Sequence, residues 1–274
     1  MRWFFIVLLL FGLTVPADAL SSDTGAGGRL LAVPLQEMVG ERYEYTLDFF
    51  IFKDLAEGRL QFTAEKEPGQ YRAELVAHTL GVASWLSGDR TQRYVSIMEE
   101  DGVGRLRSIS HESSIHKRKG GEWTDRSKRY RFDYQAGKVY QEKGEHGHFK
   151  PGLVFELPAG QPPVDILTGF YNLRSGVYGK LSPGTRLKIP TFSTKGISEI
   201  DVEVLTDSQR QTQAFFPLNG TLLRIKVDPE IFDTGGAGLY AWFNEDGQPE
   251  RGIVEKVIGL GDVQGRLREE QPDP

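Results

Sequence analysis

The sequence predicts a mainly β protein: a strongly curved antiparallel meander sheet, half-open and barrel-like, with one central helix packed in the concave face. Three observations predict it. Apolar and polar residues alternate with period two in run after run. Turn-forming residues separate the runs at short intervals. A single internal segment, "PPVDILTGFYNLRSG" (residues 162–176), has helical spacing instead.

The strands come first. In "ERYEYTLDFFIF", Tyr43, Tyr45, Leu47, Phe49 and Ile51 fall on one face, with Glu44, Thr46 and Asp48 opposite. "GRLQFTAEK" repeats the pattern with Leu60, Phe62 and Ala64, and "QYRAELVAH" with Tyr71, Ala73, Leu75 and Ala77. "KRYRFDY", "SEIDVEVLT" and "TLLRIKVD" continue it. Such alternation marks a sheet with one buried and one wet face. "EPGQ", "EEDG", "AGK", "NG" and "EDGQP" supply the turns of an antiparallel meander.

Two segments break this rhythm. "LGVASWLSG" (residues 80–88) is a short apolar run with glycines near both ends, fit for a hinged helical turn or lid. In the 162–176 segment, Ile166, Phe170 and Leu173 share a helical face, flanked by Leu167 and Tyr171. Pro162 and Pro163 suit the approach and Gly176 the exit, while Gly169 lowers helix propensity by about 1 kcal/mol against alanine. A helix with an apolar face must bury it, and a sheet curling round it is the natural partner.

The chain opens "MRWFFIVLLLFGLTVPADAL". Arg2, an apolar block ending at Val15, and Ala17-Asp18-Ala19 form the charged, apolar and small-residue regions of a signal peptide. Pro16 and Asp18 end the block short of the roughly 20 residues that span a bilayer, so no membrane span is expected after cleavage. The expected organisation is a signal peptide (1–19), a flexible lead-in (20–34), a single β domain (35–268) and a C-terminal tail (269–274). The expected location is periplasmic or secreted. With no cysteine, neither disulfides nor an acylated cysteine anchor arise.

A net charge of −5 with interspersed signs gives no footprint for nucleic acid. The densest basic stretch, "HKRKGGEWTDRSKRYR" (residues 116–131), reads as a solvated hairpin whose cations discourage edge pairing, or as a face for an anionic partner such as a lipid headgroup.

The succession "GERYEYTLDFFIFKDLAEGRLQF", "LGVASWLSG", "RYRFDYQAGKV", "PPVDILTGFYNLRSG" and "LYAWFNEDGQPERGIVEKVIGLGDVQGRL" resembles exported bacterial proteins of domain-of-unknown-function family 3108. The likeness rests on a "GE-x-L-x-Y" opening at Gly40–Tyr45, a "D-x-L-(S/T)-x-x-Y-x-L-R" helix at Asp165–Arg174, and a tryptophan strand with a D-G turn at Trp242–Gly247. It spans about residues 35–268 and implies an exported β protein with no established activity. In architecture alone, the predicted fold is also similar to periplasmic lipoprotein-localisation carriers, which hold acyl chains in a concave sheet.

No catalytic set, cofactor motif or metal site emerges. "EHGHF" offers only His146 and His148, and no G-x-S-x-G nucleophile turn occurs. The informative residues are apolar: Trp85, Leu86, Ile166, Phe170, Tyr171 and Trp242 lie where the sheet breaks or closes. They fit either a packed core or the lining of a site for a hydrophobic or acylated ligand. Two function classes follow, a non-catalytic exported carrier of such a ligand and a structural or interaction component of the envelope that partners other proteins. A cavity of several hundred cubic ångströms beside the helix favours the first, and native packing throughout favours the second.

Overall fold

The computed structural model describes residues 32–268 except 50–51, 82–83, 85–88, 120, 146, 159, 161, 194–195, 229–237 and 258–260. The first eight strands follow one another as a meander: β1 (Arg42–Phe49), β2 (Phe52–Ala64), β3 (Gln70–Thr79), β4 (Arg90–Glu100), β5 (Leu106–Lys119), β6 (Glu122–Asp133), β7 (Lys138–Glu145) and β8 (His148–Glu156). Six more form a second run: β9 (Arg186–Ser193), β10 (Gly196–Val204), β11 (Thr221–Lys226), β12 (Leu239–Phe243), β13 (Pro249–Val257) and β14 (Gly261–Leu267). Three helices are described, α1 (Leu35–Met38), α2 (Ile166–Arg174) and α3 (Asp207–Arg210).

One antiparallel 14-stranded sheet contains every strand among the described residues, in the order β8 to β1 and then β14 to β9. The two runs join where β1 pairs with β14, with Tyr45 opposite Leu267 and Phe49 opposite Val263. The edges are therefore β8 and β9, neighbours in sequence, and α2 lies in the connection between them. Ile166 and Phe170 of α2 pack against the core of the first run and also against that of the second. One short helix can touch both only if the sheet curls round it.

The edges approach without a ladder. Phe192 of β9 sits 6.0 Å from Phe155 of β8 and 5.5 Å from Phe132 of β6, ring centre to ring centre. Side chains thus fill a seam that no hydrogen-bonded strand pair closes, and the barrel is half-open. Pro151 on β8 and Pro190 on β9 remove ladder donors there, a common device on edge strands.

Side-chain size changes along the inward rows. On β2 the inward residues run Phe62, Leu60, Gly58, Ala56, and on β3 Tyr71, Ala73, Leu75, Ala77. The bulky ends meet Met38, Met98, Leu106, Leu167 and Tyr171 in a closed core. The opposite end, walled by small residues, stays hollow.

Candidate functional site

Helix α2 has two faces with different chemistry. Its start is fixed by Asp165, an N-cap whose Oδ1 accepts from the Leu167 and Thr168 amides at 3.0 Å each. The Ser96 hydroxyl donates to Oδ1 at 2.6 Å, and the Ser108 and Thr168 hydroxyls donate to Oδ2 at 2.6 Å. Burial alone would raise the Asp165 pKa. His111 and the hydroxyls of Ser108 and Ser96 outweigh that and hold the carboxyl well below the usual carboxylate range.

The helix is held further along as well. Asn172 spans the β5 backbone, accepting from the Leu106 amide at 2.8 Å and donating to its carbonyl at 2.7 Å. Arg174, 1% exposed, makes a bidentate pair with Glu41 at 2.5 and 2.9 Å and donates to the Gly247 carbonyl at 3.3 Å. The opening glycine–glutamate, the central helix and the D-G turn therefore converge on one guanidinium. These motifs fasten α2 into the sheet.

Ser96, His111 and Asp165 bring together the residue types of a hydrolase triad, but their geometry differs from one. Ser96 lies 2.9 Å from His111 Nδ1 and gives its own proton to Asp165. In a working triad the serine proton points to the histidine and the acid orients the far ring nitrogen. Ser96 is also fully buried, out of reach of a substrate. The trio is a structural cap.

The other face of α2, with Ile166, Gly169, Phe170 and Leu173, looks into a hollow of about 370 Å³ between helix and sheet. The hollow exists because the sheet turns small residues toward it. Gly58 of β2 lies opposite Tyr45 and Ala77, Gly265 of β14 opposite Leu47 and Gly252, and Gly252 of β13 opposite Ala241. A Cβ at Gly58 would meet its nearest neighbours at 3.6–3.8 Å, ordinary contact distances. The walls are almost wholly apolar. Polar groups gather on one side, where Thr79, Arg90, Gln92 and Tyr94 line the hollow and the Gln92 amide donates to the Tyr94 hydroxyl. Tyr45, whose hydroxyl donates to the Pro249 carbonyl at 2.7 Å, is kept neutral by burial, which lifts its pKa well above the ordinary tyrosine value.

Of the residues singled out by sequence, Ile166 and Phe170 line this hollow. Tyr171 points to the other side of α2, stacked on Phe62 with ring centres 4.1 Å apart. Trp242 is on the opposite face of the sheet, packed with Leu205, Phe216 and Leu222, and donates its indole N–H to the Asn219 carbonyl at 2.8 Å. Trp85 and Leu86 lie outside the described residues. Sequence reasoning missed the inward glycines, which form the cavity by what they lack. Their signal was present: Gly58, Gly252 and Gly265 each interrupt a strand without any turn residue beside them.

The family model described as "Protein of unknown function (DUF3108)" matches residues 44–268. No curated protein matches the chain. A similar solved structure is that of a β-barrel-like protein of domain of unknown function DUF1849 from Brucella abortus, at 12% identity and a TM-score of 0.47, covering 84% of this chain and 96% of that one. With a family model spanning most of its length, the chain belongs to the DUF3108 family.

Proposed function

We propose that this protein is an exported, non-catalytic carrier that holds the acyl chain of a hydrophobic ligand in the hollow beside α2. The observation that carries the reading is the almost wholly apolar hollow of about 370 Å³ beside α2. Its size falls within the roughly 300–1,000 Å³ of small-molecule sites. A purely structural sheet gains by filling such a space, since burying apolar wall stabilises by about 25 cal/mol per Å². Every methylene of a ligand moved from water into these walls contributes about 0.8 kcal/mol before the cost of association. Ile166, Gly169, Phe170 and Gly58 form the proposed contact surface.

Export rests on the N-terminal pattern of Arg2, the apolar block and Ala17-Asp18-Ala19. The expected mature chain begins at Leu20. N-terminal sequencing of protein from the soluble envelope fraction checks this, and an intact Met1 there contradicts it.

The ligand reading is tested by titrating delipidated protein with a polarity-sensitive fluorescent fatty acid. The wild type is expected to bind one equivalent with a blue-shifted emission. Gly58→Leu projects a branched side chain into the hollow and is expected to weaken binding strongly while leaving the protein as stable as before or more so, because glycine inside a strand costs roughly 0.5–1 kcal/mol. Equal binding by both proteins, or none by the wild type, removes the carrier reading.

A further inference from the structure

The wall that continues from the cavity along β4 to β8 has an unusual charge pattern. Residues directly opposite on paired strands point to the same side of a sheet. Tyr94 faces the hollow, and Ser113 lies opposite it, Lys128 opposite Ser113, Lys143 opposite Lys128, and Lys150 opposite Lys143. A parallel row nearer the hairpin tips places Lys117 opposite Arg90, which itself lines the hollow. Lys117 and Lys128 of the basic stretch read from the sequence therefore face the same side as Arg90 and Tyr94.

The outer faces of the same strands behave differently. Arg129 pairs with Glu112 at 3.0 Å and Glu142 at 3.7 Å, Arg131 with Glu142 at 3.1 Å, and Arg93 with Glu74 at 3.0 Å. Among the described residues, Lys128, Lys143 and Lys150 have no such partner. Three like charges directly opposite one another, roughly 5 Å apart at Cβ, repel and destabilise a sheet. Hairpin solubility needs cations on the outer face, and does not explain three stacked on the inner one. Glu145, one step toward the tip on the β7 wall, is the nearest acid in the row and pairs with none of them. Asp165 borders the same region, but both its oxygens are taken by Ser96, Ser108 and Thr168.

The lysine row meets the proposed site at Lys128 and runs outward through the exposed Lys143 and Lys150. Lys128 and Ser113 line a small recess of about 40 Å³ whose wall shares Tyr94 and Ile166 with the large hollow. We propose that the ligand is an anionic acyl lipid, its chain in the hollow and its phosphate head on the Lys128–Lys143–Lys150 row, with Ser113 as a hydroxyl donor. This rests on the carrier reading and gives it a ligand class. Lysine binds phosphate as a point charge, and an anion on the row replaces repulsion by charge-assisted hydrogen bonds.

The test compares two lipids with the same single acyl chain, anionic lysophosphatidylglycerol and zwitterionic lysophosphatidylcholine, on delipidated mature protein. The wild type is expected to prefer the anionic lipid by about ten-fold, the effect of one or two charge-assisted contacts, and less so at high salt. The triple variant Lys128→Gln, Lys143→Gln, Lys150→Gln is expected to lose the preference, keep its affinity for lysophosphatidylcholine and melt no lower than the wild type. Equal affinity for the two lipids, or a preference that survives the triple variant, overturns the headgroup assignment and leaves the carrier reading standing. Failure of both lipids to bind removes the carrier reading, and this proposal with it. Inorganic phosphate binding as tightly as the lipid would make the row a free-phosphate site and also overturn the proposal.

Discussion

At the residue scale, five donors converge on the Asp165 carboxylate, from the Leu167 and Thr168 amides and the Ser96, Ser108 and Thr168 hydroxyls. Because its folded pKa is depressed, the stability it contributes is fully present above the unfolded value of about 3.9 and is lost as pH falls below it. Asp165→Asn is expected to cost roughly 3 kcal/mol at pH 7, since an amide presents donors to donors. It should also flatten the acid limb of the stability curve below about pH 4. Urea unfolding at pH 7 and at pH 3 checks both, and a variant with the wild-type acid limb contradicts this role. Arg174 is the matching anchor at the other end of α2. Arg174→Ala leaves Glu41 without its partner and is expected to cost about 3–5 kcal/mol, read as a large drop in Tm. Neither anchor could be weighed in the sequence. Asp165 stands out there only as the first residue of a motif, and the serines it gathers lie 57 and 69 positions away.

At the scale of the helix, the apolar spacing of Ile166, Phe170 and Leu173 was legible because a 3.6-residue period stands out among strands of period two. The structure adds that the two sides of this stripe bury unequally. Leu167 and Tyr171 are sealed into the closed core, at 4% and 0% exposure, while Phe170 remains half-buried against the hollow. Tyr171→Ala is therefore expected to cost about 3–5 kcal/mol, and Phe170→Ala only about 1–2. Phe170→Ala should instead change ligand uptake. Denaturant midpoints order the two variants, and an equal loss from both contradicts a hollow beside Phe170. Gly169 offers a converse test. A Cβ there would touch Val164, Ile200 and Ile189 at ordinary distances of 3.6–3.8 Å, so Gly169→Ala is expected to stabilise by up to about 1 kcal/mol through helix propensity. A melting temperature lowered by this change contradicts the clearance between α2 and Ile189 and Ile200.

At the scale of the whole molecule, alternation and turn spacing made the antiparallel meander legible, because each strand carries its own signal. The pairing of β1 with β14 was not legible, nor the placing of both edges in mid-sequence, since strand order depends on which ends the curl brings together. The sequence left a hollow beside the helix open against a packed core, and which residues make it was not legible for a related reason. Sequence patterns report where large apolar side chains are, whereas this cavity depends on glycines and alanines aligned across strands far apart in the chain. On the carrier reading this space is kept open for an acyl chain. Native mass spectrometry of wild type and Gly58→Leu, both purified from the envelope fraction under gentle conditions, tests it most directly. One lipid adduct per wild-type chain and little or none on a folded Gly58→Leu is the expected result; a lipid-free wild type, or the same adduct on both proteins, would show that the space holds no acyl chain.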